Sequence, residues 1–240
     1  MDLDTAEAPS LWRRALVELI GTGALVAVVI GSGIAAARLS PADPGLRLLE
    51  SSVATTLGLT VLIIVLAPVS GAHFNPVVSV ADWWLGRRRG GLAGLQLAPY
   101  VGAQLLGGVG GAVLANAMFE IPTTLATTDR ISAGHLLGEV VATAGLVLVI
   151  FACIRSGRGP LVIGPAVGAY VGAAYWFTSS TSFANPAVTI GRLFSDTSAG
   201  IAPSSALQFA GAQLVGGVLG VLLVWTLFPS RPFSDTRSER

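Results

Sequence analysis

The 240-residue sequence predicts an all-α membrane protein, with six transmembrane helices and two re-entrant half-helices in an inverted three-plus-three repeat. Three observations carry that prediction. Hydrophobic residues make up 52% of the chain and charged residues 11%, against about 25% charged in soluble domains. Too little polar surface is left to cover a water-soluble globule. Six apolar stretches are long enough to cross a hydrocarbon core about 30 Å thick, which takes roughly 20 helical residues. An Asn-Pro phrase occurs twice, at Asn75 and Asn185, each copy set between stretches of spanning length.

The first span is read at 16–37, behind Arg13 and Arg14. The first ten residues are acidic (Asp2, Asp4, Glu7), and the apolar run is longer than a leader core of about 7–15 residues, so it is expected to remain as a span. The second span, 48–66, leads into Ser70-Gly71-Ala72-His73-Phe74-Asn75-Pro76-Val77. Proline fits the first position of a helix, where its missing N–H goes unused, and Asn is favoured just before it. The segment therefore reads as a half-helix that begins inside the membrane. Only about ten residues follow before Arg87-Arg88-Arg89, too few to span. The third span is 92–118, the fourth 136–154 and the fifth 161–177. Thr181-Ser182-Phe183-Ala184-Asn185-Pro186-Ala187-Val188 then repeats the half-helix signal and ends at the polar stretch 192–195. The sixth span is 207–228, and the Arg- and Ser-rich segment 229–240 reads as a solvated tail.

The two halves repeat elsewhere. Glu18-Leu19-Ile20-Gly21-Thr22 parallels Glu139-Val140-Val141-Ala142-Thr143, and Ala103-Gln104-Leu105-Leu106-Gly107-Gly108 parallels Ala212-Gln213-Leu214-Val215-Gly216-Gly217. An odd number of spans per half inverts the second copy, so the half-helices meet tip to tip near mid-membrane. The chain reads as one domain, 1–228, with half-repeats at 11–119 and 131–228. The positive-inside rule orients it. With both termini in the cytoplasm, the inner set holds Arg13, Arg14, Arg87, Arg88, Arg89, Arg155, Arg158, Arg231, Arg237 and Arg240, and the outer set Arg38, Arg47, Arg130 and Arg192. A multi-pass protein of the inner (plasma) membrane is expected.

Broken helices in matching halves mark a pore or binding site at the bilayer midplane, so the sequence implies a channel or carrier. Asn75 and Asn185 would offer N–H donors at the meeting point, backed by the positive ends of two helix dipoles; the plainer reading makes them helix caps only, and both roles are compatible. Glu18 and Glu139 are carboxylates deep within spans. They suit either support of the irregular backbone or a proton relay. A net charge of +1 leaves no nucleic-acid footprint, and a single cysteine, Cys153, read as a small buried hydrophobe, excludes a cysteine metal site. His73 is expected to hydrogen-bond locally. No metal cluster, nucleophile–base pair or phosphate loop is legible, so neither an enzyme nor a cofactor is expected.

The double Asn-Pro-Ala-type motif, with the paired Glu-x-x-x-Thr and Ala-Gln-x-x-Gly-Gly phrases, resembles the aquaporin and glycerol-facilitator family over about 11–228. The motif residues are Asn75, Pro76, Val77 and Asn185, Pro186, Ala187, with Val77 where Ala is usual. The resemblance implies that Glu18 and Glu139 accept hydrogen bonds from the loops leading into the half-helices. It also implies a homotetramer in a lipid bilayer, with water and small neutral solutes as permeants. A four-residue constriction carried over from the family falls on Thr55, Ala173, Ser182 and Val188. The last replaces an Arg usual three residues after the second Asn, leaving a wider and less charged neck; Arg192, four residues on, is not expected to reach the lumen. The phrase ending in Val188 is similar to a bacterial subgroup encoded beside arsenic-resistance genes, which implies passage of glycerol or undissociated arsenite. A water-selective channel, an ion-coupled secondary transporter and a closed-axis scaffold are the alternatives.

Overall fold

The structure is a computed structural model that describes residues 9–87 and 91–228. Asp2, Asp4, Glu7, Arg88, Arg89 and the expected tail at 229–240, with Arg231, Arg237 and Arg240, lie outside the described residues. Among the described residues are six long apolar helices: α1 (Leu11–Leu39), α2 (Pro44–Ser70), α4 (Gly94–Met118), α5 (Ala133–Arg155), α6 (Pro160–Phe177) and α8 (Pro203–Leu227). Two short ones stand between them, α3 (Pro76–Gly86) and α7 (Pro186–Gly191), the latter extended by a 3₁₀ turn over Arg192–Phe194. This is the predicted count and order.

Most long helices begin a few residues before the apolar stretches do, because polar and proline start signals set their ends. Asp43 caps α2 by accepting from the Leu46 amide at 2.9 Å, and Ser132 caps α5 by accepting from His135 at 3.0 Å. Pro44, Pro160 and Pro203 occupy first helical positions. The early start of α1 carries Arg14 into the bundle, where its Nε donates to Tyr100 Oη at 2.7 Å.

Following the chain gives two faces. The first face carries the starts of α1, α4 and α6 and the ends of α2, α5 and α8; the second carries their opposite ends. Residues 71–75 dip inward from the first face and α3 returns to it. Residues 178–185 dip from the second face and α7 returns there. The inverted repeat is thus visible as two interrupted segments entering from opposite sides.

Glycine sets how closely these pieces approach. A Cβ on Gly107 would lie 2.3 Å from the Leu19 carbonyl oxygen of α1, and one on Gly108 2.5 Å from the Ala187 carbonyl of α7. The repeat partners do the same work: a Cβ on Gly216 would run into the Val140 carbonyl of α5, and one on Gly217 into the Val77 side chain of α3. Each Gly-Gly pair thus seats a long helix with one residue and the other repeat's half-helix with the next. Small residues permit such contacts where lipid supplies no hydrophobic drive.

Gly107→Val forces backbone apart, so its thermal unfolding midpoint in detergent should fall by the equivalent of about 1–3 kcal/mol. Gly110→Ala, where a Cβ meets nothing within 4 Å, should leave the midpoint unchanged or slightly raised.

Candidate functional site

The two re-entrant loops meet through their asparagines. Asn75 Oδ1 accepts from the Val77 amide at 2.9 Å, and Asn185 Oδ1 from Ala187 at 2.9 Å and Val188 at 3.3 Å, so each caps its own half-helix. Each Nδ2 then crosses to the other repeat: Asn75 donates to the Ala184 carbonyl at 2.8 Å, and Asn185 to the Phe74 carbonyl at 2.8 Å. An Asn amide has two N–H donors. One on each residue is used in the crossing, and the second remains for whatever occupies the space that both residues line.

Behind this contact sit the two buried carboxylates. Glu18 accepts from the His73 amide (3.0 Å), the Phe74 amide (2.7 Å), Ser70 Oγ (2.6 Å) and Gln104 Nε2 (2.7 Å). Glu139 accepts from the Phe183 and Ala184 amides (both 2.9 Å) and Gln213 Nε2 (2.6 Å). The glutamines also reach the half-helices, Gln104 donating to Ser79 Oγ at 2.8 Å and Gln213 to Thr189 Oγ1 at 2.9 Å. The loops hold residues at positive φ that are not glycine: Ala72 (52°), Phe74 (51°), Thr181 (61°), Ser182 (51°) and Ala184 (48°). Such residues cost about 1–2 kcal/mol each. They turn successive N–H groups toward one side, the concavity that binds an anion, and a carboxylate fills it in each repeat.

One cavity of about 380 Å³ runs from the first-face residues Arg14, His73 and Asp82, past Asn75 and Asn185, to Arg192. That is room for roughly a dozen waters at ~30 Å³ each. Much of its remaining wall is apolar, with Val29 of α1, Leu59 and Ile63 of α2, Leu146 of α5 and Val167 of α6. At the first face His73 Nδ1 pairs with Ser79 Oγ at 3.1 Å, and its Nε2 lies 3.8 Å from Asp82, a local role as expected.

Toward the second face the cavity is lined by Thr55, Ser182 and Val188, three of the four residues carried over by spacing. Ala173 is not brought there. It is exposed on the outside of α6, and Val171 and Tyr175 face inward instead, because a helical turn of 3.6 residues sets position 173 off the lining stripe. Tyr175 Oη shares a 2.9 Å hydrogen bond with Thr55 Oγ1. Ser182 lines the passage, although its buried hydroxyl has no hydrogen-bond partner. Arg192 also lines the cavity, contrary to expectation, since it lies on the 3₁₀ turn one helical turn beyond Val188. The sequence reading placed neither Arg192 nor Tyr175 in the lumen. A tyrosine near the end of an apolar span gives no sign of which way it faces. Cys153, expected to be buried, is only half-buried.

Outside the spans, Asp129 and Arg130 tie the 119–132 connection to the loop before α8. Ser205 Oγ (2.6 Å) and the Ile131 amide hold the Asp129 carboxyl below its usual pKa. Arg130 donates to the carbonyls of Gly200 and Ser198, both at 2.7 Å, and burial pulls its pKa below the usual value.

Comparison with known proteins agrees with this geometry. Residues 5–179 match the family described as major intrinsic protein. The chain is 45% identical over 224 residues to the aquaglyceroporin AqpS of Rhizobium meliloti (strain 1021), covering 92% of this chain and 93% of that one. It is 32% identical over 240 residues to a glycerol uptake facilitator protein of Pseudomonas aeruginosa, covering 87% and 81%. The fold superposes on the X-ray structure of the aquaglyceroporin from Plasmodium falciparum with a TM-score of 0.71 at 22% identity, covering 90% of this chain and 96% of that one.

Glu139→Gln turns amide donors toward the N–H groups that the carboxylate now accepts. Each donor left unpaired should cost about 1–3 kcal/mol. The variant's melting temperature and solute flux in liposomes should fall together, and Glu18→Gln should behave alike; a variant keeping both would show the cradles to be dispensable.

Proposed function

Because the chain belongs to the major intrinsic protein family, we propose a specific neck for the passage it encloses. The protein is a passive membrane channel for water and small neutral solutes of the glycerol type. In our reading Thr55, Tyr175, Ser182 and Val188 form the constriction, and the motif residues Asn75, Pro76, Val77, Asn185, Pro186 and Ala187 form the midpoint. The observation that carries this reading is Val188 lining the passage between Asn185 and Arg192. A valine there occupies less of the lumen than a long cationic side chain and donates no hydrogen bond. Thr55 and Tyr175 offer hydroxyls nearby, while Val171 and Val188 offer apolar contact. A polyol needs both kinds of surface. Undissociated arsenite, a neutral trihydroxide of similar size, fits the same description.

Passive flow is favoured over ion coupling by the state of the two acids. Glu18 and Glu139 are completely buried and engaged with loop amides and glutamines, which leaves them committed to support. The arginine distribution, ten against four, supports cytoplasmic termini in the inner membrane. A homotetramer is part of the proposal on family grounds.

Liposomes carrying the protein should pass glycerol faster than empty ones, without saturation and without an ion gradient. Fast water flow with glycerol at the empty-liposome rate would refute the wide neck. Val188→Arg should slow glycerol roughly tenfold, a barrier increment of about 1.4 kcal/mol, with a smaller effect on water. Unchanged selectivity would remove Val188 from the neck.

A further inference from the structure

Val188 leaves its own turn of α7 without a charge, yet a guanidinium stands in the passage one turn further on. Arg192 is 6% exposed and lines the same cavity as Thr55, Tyr175 and Val188. Two contacts fix it. Its Nε donates to the Ala199 carbonyl, and its Cζ lies 3.4 Å from the centre of the Phe183 ring. Phe183 is held in turn, its amide on Glu139 at 2.9 Å and its ring edge-on to Phe209 at 5.1 Å. Neither contact uses the terminal nitrogens of Arg192, and no carboxylate pairs with it among the described residues. Arginine does not lose its proton in proteins. The passage therefore holds a guanidinium with no carboxylate at ion-pair distance among the described residues, and with N–H donors to spare.

We propose that Arg192 is a selectivity residue of this channel, supplying the fixed charge and donors of the neck while Val188 supplies its width. Where a single arginine at position 188 would both narrow the lumen and charge it, this chain divides the two tasks between neighbouring turns. Neutral solutes bearing hydroxyl or oxo groups accept from the free guanidinium N–H groups. Cations are turned back by its charge in a site shielded from bulk water. This rests on the channel reading above, and the test separates the two.

Proteoliposomes are challenged at mildly acidic pH with glycerol and, separately, with methylammonium chloride, and permeation is followed by light scattering. The unaltered protein should pass glycerol and exclude methylammonium. Arg192→Ala should admit methylammonium roughly tenfold faster, the size of effect one unit charge exerts over about 10 Å at an effective dielectric near 20. Arg192→Gln, which keeps a donor for Ala199 without the charge, should leak likewise should the alanine variant fail to fold. Arg192→Lys should stay closed to the cation. A glycerol-conducting Arg192→Gln protein that excludes methylammonium overturns the inference and leaves the channel reading standing. An equal leak through Arg192→Lys overturns it also, since loosened packing then explains the effect. Absence of glycerol flux through the unaltered protein overturns the channel reading, and this inference with it.

Discussion

The structure depends on two buried carboxylates holding two strained loops. Residues 71–75 and 178–185 line the cavity on one side only, and any backbone group they turn away from it into the bundle costs several kcal/mol if left unpaired. A helix satisfies its own backbone; these loops do not. Glu18 accepts from consecutive amides at His73 and Phe74, and Glu139 from consecutive amides at Phe183 and Ala184. Gln104 and Gln213 then bind each acid to a half-helix side chain. An ionised acid inside a membrane bundle is costly by itself. Here the acid and the loop remove each other's cost, so neither is stable without the other.

With the loops fixed, the asparagine crossing follows. Each Asn caps one half-helix and donates to a carbonyl of the opposite loop, joining the two repeats at their midpoint. The glycine pairs extend the same joining outward, since Gly108 of the first repeat seats α7 and Gly217 of the second seats α3. Neither half closes its own passage. The inverted repeat is thus an interlock, and the cavity is what remains between two halves that cannot approach further.

The sequence revealed the interlock more clearly than the neck. Six spans, two half-helices and their order were legible because length, hydropathy and Asn-Pro caps are local signals. That Glu18 and Glu139 need partners was legible because a lone acid in an apolar span is costly, while the expectation that those partners are loop amides came from the family resemblance. Helix starts at Pro44 and Ala133 were missed by hydropathy, since the Asp43 cap with Pro44 and the Ser132 cap set them. Ala173 was misplaced because spacing was carried along α6 without a marker for its inward stripe, which runs through Val171 and Tyr175. Arg192 was not expected in the lumen, although it stands four residues beyond Val188. A helical turn returns a side chain to the same face after about four residues. The burial of Arg192 beside Phe183 is a tertiary fact that no local pattern carries.

That last point bears on how such a passage can be altered. A side chain that narrows and charges a lumen at once ties the admitted size to the refused charge. Replacing it by valine alone would widen the neck and also discharge it. Placing the guanidinium a turn away, pinned by a carbonyl and an aromatic face, relaxes the size limit while the field remains. The aromatic pin is part of the loop that Glu139 holds, so the charge at the neck and the strain at the midpoint share one support. On the proposed reading width is set at Val188 and charge at Arg192, and Arg192 rests through Phe183 on the loop that Glu139 holds.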